Sequence, residues 1–115
     1  MAVKDMTPVK GVLNGFTKVA LEAASVATDG MKFQLPRASD EYVIVLVQNT
    51  AASAYNITVK KPEKGSYYAS TSDEVYNLAA GEIAVFRFES AKWANNDGTI
   101  VCVPENVAVK AAVIY

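Results

Sequence analysis

Tyr42-Val43-Ile44-Val45-Leu46-Val47-Gln48-Asn49-Thr50, followed after four small residues by Tyr55-Asn56-Ile57-Thr58-Val59-Lys60, decides the fold class of this chain. The second stretch alternates apolar and polar side chains with period two, which is how a strand with one wet face reads. The first is apolar at every position from Tyr42 to Val47, as in a strand covered on both faces or covered by a core on one side and a partner on the other. Ile83-Ala84-Val85-Phe86-Arg87-Phe88 has the same character. Outward from these, Met31, Phe33 and Leu35 alternate with Lys32 and Gln34. Near the C-terminus Val107, Val109, Ala111, Val113 and Tyr115 share one face, with Ala108, Lys110, Ala112 and Ile114 on the other.

Turn chemistry separates these runs every 8–12 residues or so, the spacing of a sandwich or barrel. Asp29-Gly30 precedes the Met31 strand and fits a short hairpin. Ala51-Ala52-Ser53-Ala54 is short enough for a hairpin loop, and Pro62 ends its strand because it has no N–H to give a ladder. Ala79-Ala80-Gly81-Glu82 is a tight connection, and Asn95-Asn96-Asp97-Gly98 is the strongest turn signal in the chain. The Ala-rich stretch Lys18 to Thr28 reads as strand or irregular structure. The expectation is an all-β, single-domain antiparallel β-sandwich of about 6–8 short strands, as the turn spacing implies. Its expected core is Phe33, Val43, Val45, Ile57, Val59, Phe86 and Val101. Residues 1–15, interrupted by Pro8 and Gly11, read as an N-terminal arm or edge strand, and residues 16–115 as the sandwich domain.

The 115 residues, 51% hydrophobic and 20% charged, suffice for one domain with its own core. Eleven Lys and Arg against twelve Asp and Glu leave a net charge of −1. A nucleic-acid binder needs a basic face to displace counterions from phosphates, so no nucleic-acid partner is expected. The longest apolar run is too short to span a bilayer, and Met1 to Pro8 hold no run of signal-peptide length. No membrane partner is expected, and synthesis in the cytoplasm is.

The chain has no histidine, hence neither the commonest general base nor the commonest metal ligand. Its single cysteine, Cys102, lies in the β-branched run Thr99-Ile100-Val101-Cys102-Val103 and reads as buried and inert. The acids Asp40-Glu41, Asp73-Glu74, Glu82, Glu89 and Asp97 fall mostly in turns. Asn95, Asn96 and Asp97 match no calcium-loop spacing. No catalytic residue, metal site or cofactor is therefore assigned, and the chain is read as non-enzymatic. The aromatic residues are more informative, because Tyr and Trp bury contact area and keep a polar handle. Tyr67, Tyr68, Tyr76 and Trp93 are candidate partner contacts, together with Val3, Met6, Val9 and Val12 of the arm.

Asp29-Gly30-Met31-Lys32-Phe33-Gln34-Leu35-Pro36, Leu46-Val47-Gln48-Asn49-Thr50 and Ala79-Ala80-Gly81-Glu82 resemble segments of small head decoration proteins of tailed bacteriophages. The resemblance covers about residues 29 to 115. It implies a virion structural protein on the outer capsid surface, with the major capsid protein and sister copies of itself as partners and a homo-oligomer on the shell. The alternatives are a carbohydrate-binding or adhesin-type sandwich module, with the aromatics as stacking residues, and a tail or baseplate subunit.

Overall fold

Period-two patterning resolves into two facing sheets in the computed structural model, which describes residues 3–36 and 42–115. In chain order the strands are β1 (Lys4–Asp5), β2 (Met31–Gln34), β3 (Ile44–Asn49), β4 (Tyr55–Val59), β5 (Glu74–Leu78), β6 (Ile83–Arg87), β7 (Thr99–Pro104) and β8 (Val109–Ile114). One sheet has the order β1-β2-β7-β4-β5 and the other β6-β3-β8. Every pairing is antiparallel except β1 with β2. Single helical turns interrupt the strands, among them a 3-10 turn at Ala27–Asp29 and α1 at Ser90–Trp93. Residues 18–26 are irregular, joined to β8 by the bridge of Glu22 to Ala111. The all-β sandwich expected from the sequence is the architecture found. Of the turn acids, Asp40 and Glu41 lie outside the described residues.

Register explains the core. On the three-stranded sheet Val45 sits between Phe86 and Val113, and Val47 between Ala84 and Ala111, so one inward row crosses all three strands. On the five-stranded sheet Met31 pairs with Cys102, which pairs with Val59, while Phe33 pairs with Ile100. Phe33, Val43, Val45, Ile57 and Val59 are buried as expected. Val101 is a correction: Ile100 and Cys102 point inward, so the residue between them takes the outer face and is half-buried. Phe86 is only partly buried against the core, and Phe88 is the buried aromatic of that run. Burying a side chain such as Phe33 is worth about 1.5–3 kcal/mol.

Two connections differ from the expected hairpins. Residues 51–54 join β3 to β4 across the sandwich, since these strands belong to different sheets. Asp29-Gly30 leads into β2, whose neighbours are β7 and the parallel β1, so no hairpin forms there. Asn49, a fully buried polar residue at the end of β3, pins the first crossing. Its Nδ2 donates to the carbonyls of Ser53 (2.8 Å), Leu78 (3.1 Å) and Ala79 (3.3 Å), and its Oδ1 accepts from Ala51 N–H at 3.0 Å. Its own N–H and carbonyl bond Glu82 and Gly81. One amide thus ties the 51–53 crossing to residues 78–79 at the end of β5.

The N-terminal segment staples one flank of the sandwich. Lys4 N–H donates to Gly30 and Met6 N–H to Lys32, on the edge of the first sheet. Three residues further, Val9 N–H donates to Val113, Tyr115 N–H to Val9, and Gly11 N–H to Tyr115, on the edge of the second. Glu22 clasps this crossing, accepting from Thr7 N–H at 2.9 Å and lying 3.7 Å from Lys4. Among the described residues no added segment crosses the opposite flank, where the 79–82 turn joins β5 to β6 directly.

Candidate functional site

The 60–73 segment that links β4 to β5 is fixed from several sides. Asn95 Oδ1 accepts from the N–H groups of Glu63 (3.0 Å) and Lys64 (3.1 Å), and Asn96 N–H donates to Lys64 at 2.7 Å. Ser66 Oγ donates to the Ala91 carbonyl at 2.6 Å and accepts from Tyr68 N–H, while Ser70 N–H donates to Lys92. Gly65 is packed so closely that an added Cβ would lie 2.6 Å from Pro62 Cγ and 2.7 Å from Ala69 Cβ. From this scaffold Tyr67 and Tyr68 project outward, 96% and 74% exposed, with ring centroids 5.5 Å apart and planes at 83°. Their order costs little on contact, because the loop that carries them is already held.

The second concave feature is the unstapled flank. Glu74 and Tyr76 share the inward register of Leu78 on β5, but only Leu78 is covered; the other two open onto a cleft of about 270 Å³. Its floor is Val47, Ile57 and Val59, and Ala84 and Phe86 form the β6 side. Tyr76 Oη donates to Glu82 Oε2 at 3.3 Å, which places a second carboxylate at the rim. Edge strands on both sides leave apolar surface and unpaired backbone groups open to solvent there. A wider groove of about 590 Å³ runs past Val3, Lys60, Lys61 and Lys64 to the 95–97 turn. Within it Lys60 is paired with Asp73 at 2.9 Å. Asp73 also accepts from Lys61 N–H, and this bond, with the Lys60 ammonium, holds its carboxyl below the ordinary value of 3.8.

The candidate residues therefore scatter. Tyr67 and Tyr68 form one surface, Tyr76 another, and Val12 a third, in a loop beyond the staple. Val3 lines the lysine groove, and Val9 is half-buried with its backbone engaged by β8. Met6 and Trp93 pack against the core. Met6 is 4% exposed and belongs to the core, because the pairing of residues 4–6 along β2 turns its side chain inward. Trp93 ends α1 and packs edge-on against Phe86 with centroids 5.6 Å apart, so its ring covers the core. Sequence reasoning overlooked Leu13 and Phe16; the turn signal of Asn14-Gly15 between them pointed to an exposed tip.

The polar atoms of the Asn95–Gly98 segment are shared between the turn itself and the 60–73 segment. Asp97 Oδ1 accepts from Thr99 Oγ1 at 2.7 Å and Thr99 N–H at 3.1 Å, which lowers its pKa, and Asn95 Nδ2 donates to the Thr99 carbonyl. Among the described residues no three acidic, Cys or His side chains converge on a metal-sized space. Cys102 is fully buried, and burial pushes its thiol up to about 12. Among the described residues no helix is long and apolar enough to cross a membrane. No family model, curated protein or solved structure matches this chain.

Proposed function

We propose that this chain is a non-enzymatic structural protein of a tailed-phage virion, bound to the outer surface of the capsid and contacting the major capsid protein through the Tyr67–Tyr68 loop. The observation that carries the reading is that pair of exposed aromatic side chains on a loop locked by Asn95, Ser66 and Ser70. Exposed tyrosines on a held backbone are suited to the centre of a protein contact. The strand and turn segments that resemble head decoration proteins lie on the strands and turns that build the sandwich, and a shell offers many equivalent sites, so weak single contacts add up. A net charge of −1 makes apolar and hydrogen-bonded contact, not long-range steering, the source of affinity. The sugar-stacking alternative asks for a ring face open to a flat ligand. The 83° angle between the two rings presents no shared plane, and the Trp93 ring is committed to Phe86.

The test is co-sedimentation of the purified chain with undecorated shells of the major capsid protein of the same virus. Saturable binding is expected, weakened about tenfold or more by Tyr67→Ser with Tyr68→Ser at unchanged melting temperature, as for a hot-spot pair. Absence of binding to shells, or binding to a glycan panel in its place, overturns the proposal.

A further inference from the structure

The stapled flank carries a projection whose chemistry matches the cleft on the other flank. Between Gly11, bonded to Tyr115, and Glu22, bonded to Ala111, the chain leaves the sandwich as a loop anchored at both ends on β8. Its turn is set by Asn14, in the left-handed region at φ 59°. The tip is apolar and uncovered: Leu13 is 92% exposed, Phe16 105% and Val12 56%. Lys10 and Lys18, both exposed, flank it. Large apolar side chains left this bare on an anchored loop mark a contact that the chain does not make with itself.

We propose that this loop docks into the β5–β6 cleft of a second copy, so that copies associate head to tail. Three observations on the two surfaces support this occupant. The cleft, at about 270 Å³, has room for an aromatic ring, given that a cavity of about 150 Å³ takes up benzene. Its lining is aliphatic and aromatic, as the tip is. Its acids, Glu74 in the lining and Glu82 at the rim, are opposite in sign to Lys10 and Lys18. The loop lies beyond β8 and the cleft beside β6, the two edges of the same three-stranded sheet, so one copy cannot fill its own cleft. A contact between two different surfaces is heterologous and generates a ring or an open chain of copies. The inference does not rest on the shell reading, because it concerns the free protein in solution.

The experiment is sedimentation velocity of the purified chain from about 10 μM to 1 mM, with two variants at exposed positions. Concentration-dependent association is expected, weakened about tenfold or more by Phe16→Ser, which spoils the loop, and likewise by Glu74→Lys, which puts a like charge against Lys10 and Lys18 in the cleft. Mixing the two variants restores one good loop and one good cleft, so a heterodimer forms and grows no further. Circular dichroism melts report that each variant is folded. A wild-type chain that stays monomeric across the range overturns the proposal. So does association unaffected by Phe16→Ser, or a mixture of variants that yields no heterodimer, the last being the signature of like surfaces meeting.

Discussion

Replacing Asn49 by Ala removes a buried side chain that ties the 51–53 crossing to the end of β5. The amide makes four hydrogen-bond contacts, to the Ser53, Leu78 and Ala79 carbonyls and from Ala51 N–H. A typical intramolecular hydrogen bond is worth about 0.5–1.5 kcal/mol net, and a buried group left unpaired costs about 1–3 kcal/mol. The Ser53 and Ala79 contacts are part-buried and open to water after truncation, whereas the Leu78 contact is buried. The sum is a loss of about 2–4 kcal/mol, a large share of the about 5–15 kcal/mol of a domain this size. Urea unfolding followed by Trp93 fluorescence measures it as a lower midpoint at unchanged m-value. Asn49→Asp extends the test: a carboxylate cannot donate to three carbonyls, so this variant is expected to be less stable at pH 7 than at pH 4, where a protonated acid supplies one O–H. A loss below about 0.5 kcal/mol for Asn49→Ala would refute the idea that this amide organises the crossing, since that is the range of an ordinary surface change.

Cys102 should resist an aromatic disulfide reagent at pH 8 in the folded protein and react fully in denaturant; its folded pKa is raised from 9.0 to about 12, so stability should fall as pH climbs through that interval, where only the unfolded thiol ionises. Asp73 has the opposite sign: its lowered pKa makes its contribution present above 3.8 and lost as pH falls through the folded value, so the stability difference between wild type and Asp73→Asn, read by thermal melts, should shrink in acid. Gly30 has φ 76° and would place a Cβ 2.8 Å from the Cys102 carbonyl oxygen, so Gly30→Ala should cost about 1–3 kcal/mol in the same urea assay.

The strand faces were legible because burial and period two are local properties: Met31 and Phe33, Ile57 and Val59, and Val109, Ala111 and Val113 all turn the same way as their spacing says. In β7 every residue from Ile100 to Val103 is apolar, so alternation carries no parity and Val101 was exchanged for its neighbours. The crossing at residues 51–54 was hidden for a different reason. Loop length says that β3 and β4 are close in the chain, not that they share a sheet, and the deciding group, Asn49, reads as an ordinary turn-flanking polar residue until its four partners are assembled. The same holds for the arm. Pro8 and Gly11 correctly speak against a regular strand, yet single main-chain bonds to two different sheets need no side-chain pattern at all. Of the contact residues, Tyr67 and Tyr68 stood out because they flank a polar stretch beside turns. Phe16 and Leu13 did not, because exposure of a large apolar side chain runs against the burial expected of it.

The staple at the first flank also fixes how the domain carries load. Val9 bridges Ile114 in parallel, and β1 runs parallel to β2. Tension drawn from the start of the arm and from the end of β8 would slide the two segments past each other, straining the Val9, Gly11 and Tyr115 bonds together instead of one after another. Along that axis the arm is a shear clasp. On the β5–β6 flank the load falls instead on the 79–82 turn and the Asn49 bonds to Leu78, Gly81 and Glu82 at one end of the cleft, so traction there would open the cleft from its Glu74 end.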